Sequence, residues 1–317
     1  MAAKDAVSLA DIRRAREVVA RVALRTPVLP LKGGDRPETH VKCENLQRGG
    51  AFKCRGAYNL VASLGEASRR RGVVAYSSGN HAQGVALAAR LLGVRATVVM
   101  LDQSLPVKVE GTRAHGAEVV FGGRTSLETR RRAERIAAET GAEIVPPFDD
   151  PRIIAGQGTV GLEILEQLPD VRSIVVQVGG GGLIAGIATA VKESRPEVKV
   201  FGVEPAGAPK MHESLRRGEL ATLERTDTVA DGLKPLRAGE HTFAAVRRYV
   251  DDLVLVTDDE ILEATRHLIQ VEKLVAEPSG AAALAAVRAA KLRLPDGPAA
   301  VVISGGNVDL KAVLGLA

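Results

Sequence analysis

The sequence predicts an α/β protein of two lobes, its parallel-rich twisted sheets covered by helices. From Gly72 onward short β-branched runs alternate with helical patterns, as strands and crossover helices of a parallel sheet do. The 317 residues are 45% hydrophobic, enough to fill a sizeable core. Residues 145–151 hold three prolines in seven positions, which marks a crossing between two lobes.

Ser8 and Asp11 stand at capping-box spacing, and Ile12, Ala15, Val18, Val19 and Val22 share one face, so a first helix packs on the core. Thr26-Pro27 and Leu29-Pro30 impose extended backbone. After Gly33-Gly34, residues 40–44 form a strand, and 57–64 a helix. Three strand–helix pairs follow: 73–76 with 82–92, 96–101 with 107–115, and 118–121 with 125–140. The rhythm resumes with strand 173–178, helix 183–194 and strand 198–203. It closes with strand 253–256, helices 259–271 and 279–290, and strand 299–303; the apolar helix 279–290 is a candidate subunit interface. No repeat of solenoid length occurs.

Lys and Arg number 43 against 38 Asp and Glu, a formal charge of +5. Arg69-Arg70-Arg71 and Arg130-Arg131-Arg132 sit among Glu66, Glu128 and Glu134 with no interleaved aromatics, so they are solvated helix faces and no nucleic-acid partner is expected. Two cysteines, Cys43 and Cys54, do not make a disulfide framework, which favours a reducing compartment. The amino end has Lys4 and Asp5 and lacks a signal-peptide core, and no apolar run reaches the about eighteen residues of a membrane span. A cytoplasmic location without membrane attachment is the expectation.

Gly179, Gly180, Gly181 and Gly182 follow an apolar strand and precede a helix, an arrangement that cradles phosphate on free amides at the positive helix end. Gly180, Gly182 and Ala185 also satisfy the G-x-G-x-x-A dinucleotide fingerprint, and Glu204 ends the next strand, so a nicotinamide oxidoreductase is a rival reading. Lys53 lies among small residues just before the helix at 57, where a cation meets the positive dipole end. It is either a desolvated amine for Schiff-base chemistry or a surface lysine. Ser77, Ser78, Gly79, Asn80 and His81 form a polar loop ahead of a helix, suited to a substrate carboxylate, with His81 alternatively a capped helix residue. Ser304-Gly305-Gly306-Asn307 brings a third polar loop from a strand end.

These stretches, with Lys42-x-Glu44-x-x-Gln47, Ala51-Phe52-Lys53-x-Arg55-Gly56-Ala57, Ser77 to Gly84, Ala155-Gly156-Gln157-Gly158-Thr159 and Glu277-Pro278-Ser279-Gly280, resemble the fold-type II pyridoxal-phosphate enzymes. The resemblance spans nearly the whole chain in order and is to threonine dehydratases and serine racemases above all; it makes the oxidoreductase a remote alternative. It implies a tryptophan-synthase-β-like fold, a large cofactor-binding domain of 1–71 and 150–317, and a small mobile substrate-binding domain of 72–149. Lys53 would hold pyridoxal phosphate as a Schiff base and act as base on one face. Gly179 to Gly182 with Leu183 would bind its phosphate, Asn80 its phenolic oxygen and Ser304 its ring nitrogen, with Phe52, Gly232 and Glu277 also at the cofactor. Ser77, Ser78, Gly79, Asn80 and His81 would bind substrate.

A serine at the ring nitrogen leaves it largely unprotonated, a moderate electron sink that favours loss of a β-hydroxyl. The resemblance therefore implies conversion of L-threonine to 2-oxobutanoate and ammonia, and of L-serine to pyruvate. Ser78 matches the serine that reprotonates Cα in serine racemases, so racemisation is permitted as a second activity. The racemase metal site would need an acid six positions beyond Glu204, where this chain has Lys210, whose ammonium is expected to replace the ion. No regulatory domain is expected after Ala317, hence no feedback inhibition, and a homodimer or homotetramer is expected from the family.

Overall fold

The structure, a computed structural model, describes residues 7–32, 38–104 and 106–310; the Gly33-Gly34 turn and both chain ends lie outside them. In chain order the elements are α1 (Leu9–Val19), β1 (Val28–Pro30), β2 (Thr39–Cys43), α2 (Lys53–Ser63), α3 (Glu66–Arg71), β3 (Val73–Tyr76), α4 (Asn80–Leu91), β4 (Ala96–Met100), α5 (Pro106–Ala114), β5 (Glu118–Phe121), α6 (Ser126–Thr140) and β6 (Glu143–Ile144). There follow α7 (Pro151–Gln167), β7 (Ser173–Gln177), α8 (Gly182–Ser194), β8 (Lys199–Pro205), α9 (Lys210–Arg217), α10 (Glu240–Tyr249), β9 (Asp252–Val256), α11 (Asp258–His267), α12 (Pro278–Arg288) and β10 (Ala299–Ile303).

Two sheets result. A six-stranded sheet runs β1-β2-β10-β7-β8-β9, and a four-stranded sheet runs β5-β4-β3-β6. Among the described strands only β1 is antiparallel to its neighbour; every other strand pairing there is parallel. Strands buried on both faces read as continuous apolar runs, as Ala299–Ile303 does and as Ile174–Val176 does within β7. On one face of the large sheet Val175, Val301 and Ile303 meet Ala281 to Ala286 of α12. On the other, Ile174, Val176, Ala300 and Val302 meet Val160 and Ile164 of α7 and Ile184 and Ile187 of α8. Helix α12 is therefore core: Ala281 to Ala286 are 0–1% exposed, so the expected subunit interface is not there.

The small sheet packs with α4 and also with α2, whose Ala57, Leu60 and Val61 share a cluster with Val73, Ala75, Val85 and Val98. Helix α1 begins at the expected box, with Ser8 Oγ accepting from Asp11 N–H and the Asp11 carboxylate accepting from Ser8 N–H.

Sequence pattern does not announce α7, because its 17 residues include Gly156, Gly158 and Gly161. Packing explains them: a Cβ on Gly156 would stand 2.6 Å from the Cα of Gly56 in α2, so the two helices touch backbone to backbone. Asp150 starts the helix by accepting from Arg152 N–H at 2.7 Å, with Pro151 in the first turn. The crossing 145–150 is anchored as well, since Asp149 accepts from Glu240 and His241 N–H at 2.9 and 3.0 Å at the start of α10.

Candidate active site

The carboxyl ends of β7 and β10, the start of α2 and the start of α4 converge where the lobes meet, the usual place for a ligand in open parallel sheets. Helix α2 starts at Lys53, four residues before the position its pattern suggests. The Lys-Cys-Arg-Gly turn has no capping side chain; tertiary contacts hold it, among them Phe52 N–H donating to Ser304 O at 3.1 Å. The Lys53 amine donates to Pro147 O at 2.7 Å and lies 5.1 Å from the centroid of the Phe52 ring. Burial pulls its pKa down to about 8, partly opposed by Glu277. At neutral pH such an amine spends an appreciable fraction of time uncharged and nucleophilic.

Two residues on, Arg55 is wholly buried in an ion cluster that explains the Lys42-x-Glu44 pattern. It donates to Glu44 at 2.8 and 2.7 Å, to Glu163 at 2.7 and 3.0 Å and to Thr159 at 3.1 Å. Lys42 Nζ adds bonds to Glu163 at 2.6 Å and to Thr26 O at 2.7 Å. Gln47 closes the layer by exchanging hydrogen bonds with both backbone groups of Leu24 at 2.9 Å. Two cations and two carboxylates thus neutralise each other, clamping β2, α2 and α7 together behind Lys53.

The glycine loop is held by its carbonyls. Val178 O accepts from Lys210 Nζ at 3.1 Å, and Gly180 O from Thr242 Oγ at 2.7 Å. Gly181 sits at φ 98°, a conformation that favours glycine, and a Cβ there would stand 2.8 Å from Thr242. Among the described residues none accepts from the N–H groups of Gly179, Gly180, Gly181 or Gly182. Pinned carbonyls and unclaimed amides at the start of α8 make an anion cradle. Gly232 lies beside it, its carbonyl 2.9 Å from where a Gly179 Cβ would be and its N–H donating to Ser279 Oγ at 2.8 Å. Leu183 opens α8 as a buried residue.

At the start of α4, Asn80 links three loops: its Nδ2 donates to the Glu277 carboxyl and its Oδ1 accepts from Asn307 Nδ2 at 2.9 Å. Asn307 also donates to Gly49 O at 2.7 Å. Burial, then the Asp231 carboxylate, pushes Glu277 up to about 8. Ser304 is buried at the end of β10 and its hydroxyl has no partner among the described residues. Ser78 Oγ accepts from Leu101 N–H at 2.8 Å and lies 2.8 Å from Ser104 Oγ. Ser77 Oγ accepts from Gly79 N–H at 3.3 Å, shaping the turn.

His81 faces away from this loop. It is 2% exposed, its Nε2 bonds Val145 O at 2.9 Å, and burial together with the Lys53 charge drives its pKa to about 3. It is a neutral strut to the crossing segment. Glu204, also fully buried, accepts from Met211 and His212 N–H at 3.0 and 2.8 Å and from Lys210 Nζ at 2.8 Å. Among the described residues no three His, Cys, Asp or Glu side chains are grouped to share a metal. Cys43 and Cys54 are buried free thiols raised to about 12, unsuited to nucleophilic work.

Sequence reasoning gave no role to Asn307, Thr242, Asp149 or Pro147. The first was visible in the quoted Ser304 to Asn307 motif; the others meet the site only through the tertiary fold.

The pattern of pyridoxal-phosphate dependent enzymes matches residues 19–305. An L-threonine ammonia-lyase of Thermotoga maritima is 47% identical over 313 residues, 97% of this chain and 77% of that protein. The catabolic L-threonine dehydratase of Escherichia coli is 46% identical over 87% of this chain and 84% of its own. Among solved structures, maize serine racemase superposes with a TM-score of 0.94 at 36% identity, covering 98% and 96% of the two chains. The T.th. threonine deaminase gives 0.90 at 43%, covering 96% and 99%.

The residues present fit pyridoxal phosphate: an amine of lowered pKa suits its aldehyde, free amides suit its phosphate, and the hydroxyl of Ser304, a buried residue at the end of β10, suits its ring nitrogen. By sequence pattern, fold and donor set alike, the chain belongs to the pyridoxal-phosphate dependent enzymes.

Proposed function

We propose that this enzyme is a threonine ammonia-lyase, converting L-threonine to 2-oxobutanoate and ammonia and L-serine to pyruvate. One observation carries the reading: the Lys53 amine, held near pKa 8, donates to Pro147 O, next in sequence to the Phe148 whose ring packs on Gly180 of the glycine loop. Relatives at 46–47% identity bearing threonine ammonia-lyase and dehydratase names support the substrate class. The reaction loses water across Cα and Cβ and regains it when the C–N bond is hydrolysed, so no oxidant or reductant is needed.

When bound, pyridoxal phosphate supplies an electron sink conjugated to the substrate Cα. Gly179 to Gly182 and Leu183 would hold the phosphate through backbone N–H groups, with Gly232 beside the cradle. Ser304 would hydrogen-bond the ring nitrogen without giving it a full charge, a moderate sink that would favour expulsion of the β-hydroxyl. Asn80, held by Asn307 and Glu277, would meet the phenolic oxygen, and Phe52 would stand beside the ring. Lys53 Nζ takes the Cα proton, a role its pKa near 8 permits at neutral pH. Ser77, Ser78, Gly79 and Asn80 bind the substrate carboxylate at the start of α4, while His81 positions that loop from below.

A second activity rests on Ser78. Its hydroxyl, which accepts from Leu101 N–H and lies near Ser104 Oγ, would return a proton to the other face of Cα and so yield D-serine from L-serine. In this reading 72–149 moves as the substrate-binding domain over a cofactor domain of 1–71 and 150–317. The enzyme is cytoplasmic and works as a homodimer or homotetramer; no described helix is long and apolar enough to cross a membrane.

A panel of β-hydroxy amino acids, assayed for 2-oxo acid, ammonia and D-amino acid, tests the reading. L-Threonine should give 2-oxobutanoate and ammonia in equal amounts, and Lys53→Ala should give neither. Cofactor-loaded protein that turns over no β-hydroxy amino acid would overturn it.

A further inference from the structure

Lys210 is the first residue of α9, yet its ammonium is completely buried under the glycine loop. Four oxygens surround Nζ: Val178 O at 3.1 Å, Ala208 O at 3.0 Å, Leu233 O at 3.0 Å and Glu204 Oε1 at 2.8 Å. The charge closes at one cation and one carboxylate. A divalent ion would leave a positive excess here, and its ligands would lie closer, at about 2.0–2.6 Å for magnesium or calcium. Glu204 is committed to the same arrangement, since both of its oxygens also accept from Met211 N–H at 3.0 Å.

The carbonyls so gathered frame the anion cradle. Val178 immediately precedes Gly179, and Leu233 follows Gly232, whose carbonyl abuts Gly179. One ammonium therefore ties the end of β7 to the turn at 231–233 and turns their carbonyls inward, leaving the N–H of Gly179, trans to the Val178 carbonyl in one peptide unit, facing the other way. Without a cation, three carbonyls and a carboxylate would face one another across a dry cavity, and the cradle would lose its floor.

We propose that Lys210 is a resident cation: a positioning residue whose ammonium keeps the glycine cradle in its phosphate-binding shape, so that cofactor retention needs no added metal ion. Emptied of its side chain, the cage is a site for a monovalent cation such as potassium or ammonium, whose oxygen distances match those around Nζ. This rests on the cradle binding phosphate, a premise tested separately by whether the unaltered protein takes up the cofactor at all.

The test measures two quantities, cofactor dissociation constant by visible absorption and melting temperature of the cofactor-free protein. Both are followed in tetramethylammonium, potassium, ammonium and magnesium chlorides at one ionic strength. The unaltered protein should give the same values in every salt, with or without chelator. Lys210→Ala should bind the cofactor about ten- to a hundredfold more weakly in tetramethylammonium, the range over which outer-shell partners act. Potassium or ammonium should restore most of the affinity and raise the melting temperature, and magnesium should not. Lys210→Met, which fills the cage without charge, should stay weak in every salt.

Loss of cofactor from the unaltered protein on chelation would overturn the proposal. So would unchanged affinity of Lys210→Ala in tetramethylammonium, rescue by magnesium instead of potassium, or failure of Lys210→Ala to fold even with potassium present.

Discussion

Replacing Arg55 by methionine keeps most of the side-chain volume and removes the charge from the cluster behind Lys53. The guanidinium makes two bonds to Glu44 and two to Glu163, and Glu44 is itself 0% exposed. Removing it leaves Lys42 alone to balance the buried Glu44 and the partly buried Glu163, and breaking a buried pair in this way costs about 3–5 kcal/mol. At about 2–4 °C per kcal/mol for chains of 150–250 residues, the melting temperature should fall by roughly 6–20 °C, with this longer chain toward the smaller end. The assay is thermal and urea unfolding of the cofactor-free protein, with Glu44→Gln and the double variant completing a cycle. Because Glu44 loses its reason to be ionised once Arg55 is gone, the double variant should be more stable than the sum of the single losses. A loss below about 1 kcal/mol for Arg55→Met, or strict additivity, would refute the view that this cluster clamps α2 to α7.

Three further outcomes follow from the same geometry. Gly181→Ala must hold φ 98° with a Cβ 2.8 Å from Thr242, so the loop should shift and cofactor affinity, read by absorption titration, should fall by roughly tenfold or more for about 1–2 kcal/mol of left-handed strain. Glu277 is raised from 4.5 to about 8, so the folded chain keeps a proton that the unfolded chain releases. Its contribution to stability is complete below pH 4.5 and lost as pH rises through about 8, and Glu277→Gln should flatten that fall in melting temperature for cofactor-free protein. Ser78→Ala should abolish D-serine formation while 2-oxo acid output stays within about threefold, below the 10²–10⁴ of a lost acid–base group; equal loss of both would remove Ser78 from the racemising role.

Much of the fold was legible because parallel strands buried on both faces, such as Val73–Tyr76 and Ala299–Ile303, leave apolar runs that local pattern reveals. Helices set by packing were not. Gly156 and Gly56 are where α7 and α2 touch, and the same glycines make both helix starts look like loop. Chemistry was legible where a motif is contiguous, as with Lys53 and the glycine loop. His81 was not, because only the fold shows that its ring turns to Val145 instead of the loop it follows. Asn307 was legible as part of its motif but its role was not, because its bond to Asn80 spans most of the chain.

Borohydride reduction of the cofactor-loaded protein, followed by peptide mass mapping, addresses the central claim directly. The account predicts one pyridoxyl group per chain, carried by Lys53, with the visible absorption band lost in step. A pyridoxyl group on another lysine, or cofactor released unreduced while Lys53 remains free, would contradict it.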